Sequence, residues 1–320
     1  MPVKRTVACL LLAVLATAGA LLLTRSGTDE KPFRVEWPVM GTVAGISFRG
    51  EDAAARDAAR ETVQHTYADL NTLLSAWNPA SELCRIAHGG GTNLCELASP
   101  SVRPCYRAAL DLADASCNAF NPWLGARMRE LGFSQGKAFC DFDLGAIAKG
   151  FAVDAACCAL PQGIRCEGLL LDLGGNLRAV RGSWRTGVRN PFGGGIAATL
   201  TLAEGESAAT SGNYERFVER DGVRLSHILD GRTGKPVSGI AGVTVVTPAE
   251  YGATLADGLS TTLFVLGPSD GTRFLREHAA AYGAAQALWI PDTPDNPSIV
   301  ATKEMAARIS HAAFRMETIR

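Results

Sequence analysis

Residues 168–180 read "GLLLDLGGNLRAV". The run Leu169–Leu171 with Leu173 has the length of a short buried strand, and Gly174 and Gly175 break it where the backbone turns or comes close to something else. What surrounds this stretch decides the fold class. Downstream, "WRTGVRN" (184–190), "AATLTL" (197–202), "GVRLSHILD" (222–230) and "GVTVVTP" (242–248) are strand-like, with no helical pattern between them. Upstream, "WPVMGTVAGISF" (37–48) alternates as a strand with Met40, Gly41 and Thr42 inside it. Helical spacing governs "DAAARDAARETVQHTYADLNTLLSAW" (52–77), a segment from about Pro104 to Ala115, "GAIAKGFAVDAACCAL" (145–160) and "GATLADGLSTTLFVLG" (252–267). A short strand is expected to end near Asp143, and the tail adds a helix and a strand around "ALWIP" (287–291). Strands and helices mix without regular βαβ alternation, which predicts an α+β fold with a mixed sheet and packed helices, one domain over 33–320.

With 320 residues, 47% of them hydrophobic and 20% charged, the chain is ample for one large core. A net charge of −1 gives no field that would gather a polyanion, so a nucleic-acid partner has no electrostatic support. Residues 1–28 differ from the rest. Lys4 and Arg5 precede an apolar run from Val7 to Leu23, which predicts a signal peptide or membrane anchor with an exported body. Eight cysteines follow that leader: Cys84, Cys95, Cys105, Cys117, Cys140, Cys157, Cys158 and Cys166. An oxidising compartment permits disulfides among them, with Cys84–Cys95 the first pairing to test. No CxxC occurs and the histidines are scattered, which disfavours a metal cluster.

Three groups of side chains carry possible chemistry. The stretch "DFDLGAIAKGFAVD" (141–154) runs from a strand through small residues into the first turn of a helix, a place where backbone N–H groups favour anions. Lys149 there either meets a phosphate or stands in solvent beside an ordinary turn. On the apolar segment "TLADGLSTTLFVL" (254–266), Asp257 is a buried carboxylate that needs a cation, donors or a metal. Thr261 shares its face four residues on; the pair suits Mg²⁺, or Asp257 serves as a cap within the core. The third stretch, "TSGNYERFVERDGVRLSHILDGRTGKP" (210–236), reads as a hairpin. His227 near its strand end is a candidate base that Asp230 could orient, or a structural strand histidine.

Taken together these segments resemble one family, the FAD:protein FMN transferases (ApbE family). The resemblance is collinear from Met40 to Gly267: "MGT" at 40–42, "SAWNPASEL" at 75–83, "DLGAIAKGFAVD" at 143–154, "LLLDLGGN" at 169–176, "TSGNYERF" at 210–217, "SHILDGRTGKP" at 226–236 and "ADGLSTTLFVLG" at 256–267. It implies an enzyme that binds FAD with Mg²⁺, moves the FMN half to a threonine or serine hydroxyl of a target protein and releases AMP. By the same resemblance the Ala146 carbonyl, Asp257 and Thr261 are metal ligands, and Met40, Trp77, Asp143 and Lys149 surround FAD. His227, with Asp230, would help activate the hydroxyl. Acceptors of the family are flavin-carrying subunits of extracytoplasmic or membrane redox complexes, and its members are exported or membrane-anchored in the bacterial cell envelope. An FAD pyrophosphatase and a non-catalytic periplasmic FAD carrier are the competing readings.

The chain departs from the family pattern at three places. "NAFN" (118–121) stands where the family commonly shows "GAFD" lining the FAD pocket, so Ala119, Phe120 and Asn121 are expected at FAD with one glycine and one carboxylate replaced. Gly231 follows Asp230 where proline is usual, and the segment 133–140 is short.

Overall fold

Residues 168–180 form two antiparallel strands, β3 and β4 below, joined at Gly174 and Gly175, and both glycines have positive φ (60° and 85°). Two consecutive left-handed residues make the tight hairpin turn that matches the twist of the flanking strands. The computed structural model describes residues 31–50, 53–89, 93–133, 140–215, 217–220 and 223–319. The leader at 1–28 and the short segment at 134–139 lie outside them. Among the described residues no helix is long and apolar enough to cross a membrane.

The first half of the chain holds β1 (Phe33–Val39), β2 (Thr42–Arg49) and helices α1 (Ala53–Leu74), α2 (Glu82–His88), α3 (Leu94–Leu97), α4 (Arg103–Ala115), α5 (Gly125–Glu130) and α6 (Ala148–Ala159). Strands follow: β3 (Gly168–Leu173), β4 (Asn176–Arg181), β5 (Trp184–Arg189), β6 (Ile196–Leu202), β7 (Ser207–Gly212), β8 (Phe217–Arg220), β9 (Val223–Ser226), β10 (Leu229–Asp230), β11 (Lys235–Pro236) and β12 (Ile240–Thr247). Helices α7 (Gly252–Glu277) and α8 (Ala279–Tyr282) precede β13 (Gln286–Pro291), β14 (Ser298–Thr302), α9 (Lys303–Arg308), β15 (Ile309–Ala312) and β16 (Arg315–Ile319).

The main sheet runs β1-β2-β3-β4-β7-β12-β13-β14-β16, antiparallel except for the parallel β14–β16 pair. A small sheet, β15-β6-β5, lies apart from it. The fold is thus α+β with a mixed sheet, as expected. Successive side chains on a strand face opposite sides, and here both sides are covered. Leu169, Leu171 and Leu173 join the core that includes α1, α4, α6 and α7, while Leu170 joins a second core with Trp184, Leu200 and Leu202 of the small sheet. Burial on both faces explains why "LLLDL" is apolar without alternation.

Four local expectations change. Met40 and Gly41, with φ of 50° and 69°, form a two-residue turn, so 37–48 is the β1–β2 hairpin rather than one strand. Residues 140–143 pair with no strand; their backbone is held singly, Cys140 N–H to Ala76 O (3.1 Å) and Asp143 N–H to Pro122 O (2.8 Å). Helix α1 ends at Leu74, before Trp77. Helix α7 continues beyond Gly267 only across a kink, where Gly267 takes φ 72° and Pro268, which lacks an N–H, restarts the coil.

Candidate active site

The segment 141–154 and helix α7 meet face to face, and the carboxylates read from the sequence explain the contact. Asp257 is buried at 4% exposure, so it needs donors. Its Oδ2 accepts the N–H of Gly150 at 2.9 Å, and its Oδ1 lies 3.7 Å from Lys149 Nζ. Gly150 is the third residue of α6, where a backbone N–H has no intrahelical partner, so a side chain of another helix supplies the cap. The cap requires close approach. A Cβ at position 150 would stand 2.1 Å from Ala253 O and 2.7 Å from Asp257 Cβ, which accounts for the glycine.

The expectation that Asp257 is either a metal ligand or a core cap is met at one oxygen by the second reading. Oδ1 remains beside an ammonium beyond hydrogen-bond reach, because Lys149 Nζ donates instead to Gly145 O at 3.1 Å. The loop before α6 is shaped by Asp143, whose Oδ1 accepts the Gly145 N–H at 2.8 Å. Ala146 lies in the turn just before α6.

Thr261 stands one turn beyond Asp257 and shares a hydroxyl cluster that sequence reasoning saw only in part. Ser211 Oγ, from β7, lies 2.7 Å from Ser260 Oγ and 3.1 Å from Thr261 Oγ1. Ser260 in turn donates to the Asp257 carbonyl at 2.8 Å. Ser211 lies in the hairpin stretch 210–236, and nothing in the sequence reading pointed to Ser260. Its signal was present in the consecutive hydroxyls of "LST" on an apolar helix. Asp154 was also without a role. It caps α7, its oxygens accepting the N–H groups of Ala253 and Thr254 (both 2.8 Å), Thr254 Oγ1 (2.6 Å) and Arg178 Nη1 (2.6 Å). A carboxylate inside "GFAVDAACC" could have been questioned as Asp257 was.

A magnesium site built here rests on one carboxylate with neutral oxygens, since the described residues contain no cluster of three or more His, Cys, Asp or Glu. That set fits the ion, which takes few protein ligands and fills its shell with water and phosphate. Asp257 Oδ1, Thr261 Oγ1 and the Ala146 carbonyl are the residues that would hold it.

The remaining expected residues form the surroundings. Met40 is at the tip of the β1–β2 hairpin, and Gly174 of the neighbouring turn packs so closely on Thr42 that an added Cβ would be 2.5 Å from its Oγ1. Trp77 is exposed at 37% in the turn after α1. Trp123, unremarked in the sequence, is exposed at 47% and stacks edge-on against Phe142, with ring centroids 4.7 Å apart. Ala119 and Phe120 are buried. Asn121 Oδ1 accepts the Trp123 N–H at 2.8 Å.

His227 is half-buried between β9 and β10. Both oxygens of Asp230 are engaged by Arg232, at 2.9 and 2.8 Å, and these hydrogen bonds hold its carboxyl below the usual range despite partial burial. Its carbonyl closes the turn by accepting from Gly234 N–H at 2.7 Å. Asp230 therefore shapes the turn that follows His227. The cysteine pairing also changes. No disulfide joins Cys84 and Cys95 in the structure, and Cys84 is buried, with Sγ 3.5 Å from Ala76 O.

Three comparisons interpret this geometry. The model of the ApbE family matches residues 40–139 and 135–285, which include every residue placed above from Met40 to Thr261. The chain belongs to the ApbE family. An ApbE relative named FAD:protein FMN transferase, from Rhodobacter capsulatus, is 30% identical over 95% of this chain, which spans 63% of that relative's length. A second of the same name, from Treponema pallidum, is 32% identical over 75% of this chain and 80% of its own. In fold, the ApbE protein of Thermotoga maritima superposes with a TM-score of 0.71 at 22% identity, covering 88% of this chain and all (100%) of that one.

Proposed function

We propose that this ApbE-family chain transfers the FMN half of FAD to a threonine or serine hydroxyl of a target protein and releases AMP. The observation that carries the reading is the buried Asp257, one oxygen bound to Gly150 and the other turned toward Lys149, one turn before Thr261 on a helix that the family model covers. The acceptor hydroxyl oxygen bonds to the FMN phosphorus, the bond between that phosphorus and the bridging oxygen breaks so that the oxygen leaves on AMP, and the hydroxyl proton goes to a base. A bound Mg²⁺ supplies charge neutralisation at the pyrophosphate.

This chain's residues have distinct tasks. Lys149 adds a second positive charge at the phosphates, and the Asp143-shaped loop lets backbone come close to them. Trp77 offers an apolar face to the flavin. His227 receives the hydroxyl proton, a task suited to an imidazole base. The acceptor is a flavin-carrying protein of an extracytoplasmic or membrane redox complex, reached through export or anchoring by residues 1–28.

The test incubates the protein with FAD, Mg²⁺ and a flavin-acceptor domain and follows acceptor mass and free AMP together. One FMN gained per acceptor with equal AMP supports the transferase. AMP and free FMN without acceptor gain indicate a pyrophosphatase, and bound FAD without turnover a carrier. His227→Ala is expected to slow transfer by about 10²-fold or more while FAD affinity stays; equal loss of both makes His227 structural.

A further inference from the structure

The thiols of Cys84 and Cys140 converge on one point of the fold although they belong to distant parts of the chain. Cys84, on α2, directs Sγ to Ala76 O at 3.5 Å, and the backbone N–H of Cys140 donates to that same carbonyl at 3.1 Å. The Cys140 thiol has Cys84 as a neighbour and lies 3.0 Å from Phe142 O. Both side chains are 1% exposed, yet both border a cleft of about 370 Å³ that Ala76, Pro79, His88 and Asp141 also line. Cys105 is buried near Asp257, and Cys157 has Arg178 and Cys158 as neighbours.

We infer that Cys84 and Cys140 are a disulfide-forming pair that ties the Trp77 turn to the segment leading into Asp143. The oxidant is a small-molecule disulfide such as oxidised glutathione, or a protein disulfide of an oxidising compartment. One thiolate attacks it, giving a mixed disulfide and one released thiol. The second cysteine then displaces the other half. Its S–S bond is broken and the Cys84–Cys140 bond formed; two electrons and two protons end on the two released thiols. Burial pushes the Cys140 thiol above its ordinary range, so the attacking thiolate forms while residues 140–143 are still docking, and oxidation accompanies folding. The bond would fix a segment whose backbone is held only by single hydrogen bonds, including Cys140 to Ala76 and Asp143 to Pro122.

The experiment refolds the full chain in a buffer of oxidised and reduced glutathione, alkylates the remaining thiols and maps the peptides by mass spectrometry. The expected result is one linked peptide pair containing Cys84 and Cys140, lighter by two hydrogens, with Cys95 alkylated. The oxidised protein should melt about 5–10 °C above the reduced one, and Cys84→Ala/Cys140→Ala should melt alike under both conditions. Alkylated Cys84 and Cys140 in the oxidised protein, or either one linked to another cysteine, overturns the pairing. An oxidised form that melts no higher than the reduced one overturns the tie.

Discussion

Asp154 and Asp257 cap each other's helices: Asp257 of α7 accepts the Gly150 N–H of α6, and Asp154 of α6 accepts the Ala253 and Thr254 N–H groups of α7. Each carboxylate sits in one helix and completes the first turn of the other. The exchange fixes the depth and the rotation of α7 against α6, and with them the position of Asp257 Oδ1. Asp154→Ala leaves two helix N–H groups and Arg178 without their partner. It should cost about 2–3 kcal/mol in urea unfolding, with Asp154→Asn in between because it keeps an acceptor and loses the charge.

Gly150→Ala tests the same contact from the opposite side. The added carbon meets backbone, Ala253 O at 2.1 Å, so the helices must separate rather than a side chain swing aside. A loss of about 2 kcal/mol or more is expected, and Mg²⁺-dependent turnover should fall more steeply than FAD affinity as Asp257 loses its cap. Wild-type melting and turnover in Gly150→Ala would show that the close approach is not required.

Two departures from the family pattern touch. Asn121 Nδ2 donates to Gly231 O at 3.3 Å, and Gly231 N–H donates to Ala119 O at 3.2 Å. A Cβ at 231 would be 2.3 Å from both Asn118 O and Asn121 Cβ. Gly231→Pro loses the donor and adds the clash, so about 2 kcal/mol of destabilisation is expected. Asn118 holds a left-handed φ of 62°, which glycine adopts at less cost. Gly231→Pro with Asn118→Gly should therefore lose less than the sum of the two single changes in a double-mutant cycle.

Acid should loosen the C-terminal part through Glu206. Burial alone would raise its pKa, but the paired bonds from Arg308 (2.8 and 2.5 Å) and the N–H of Ala203 outweigh burial and hold the carboxyl below its ordinary range. A depressed folded pKa means that the unfolded chain binds the proton first as pH falls. The stabilisation is complete above the ordinary glutamate pKa of about 4.3 and is lost as pH drops through the folded value. Urea midpoints measured from pH 6 to pH 3 should fall less steeply in Glu206→Gln than in the wild type.

The sequence was most informative where local chemistry and tertiary need coincide. Asp257 was legible because a carboxylate among leucines must find donors, and the Gly174-Gly175 break because two glycines mark a turn. Met40 hid its turn because methionine rarely takes positive φ, and nothing in an alternating run shows which residue does. The cap given by Asp154 depends on where α7 lies against α6, a relation no spacing encodes. Cys84 was matched with Cys95 by proximity in sequence, whereas the segment docking at Ala76 brings Cys140 instead. Asp230 suggested a partner for His227, and its bonds to Arg232, two residues on, were not legible from the sequence.

The two outer strands of the main sheet, β1 and β16, are built alike. Each carries an arginine and a glutamate two residues apart, joined by an ion pair: Arg34–Glu36 at 2.7 Å and Arg315–Glu317 at 2.6 Å. β1 adds Pro38, which has no N–H to offer a newcomer. Unpaired strand edges invite further strands, and charge or proline along them discourages stacking of one molecule on the next. A chain trimmed of β16 would present "SIVAT" (298–302) as its border instead, an apolar, uncharged strand primed to clump in concentrated solution.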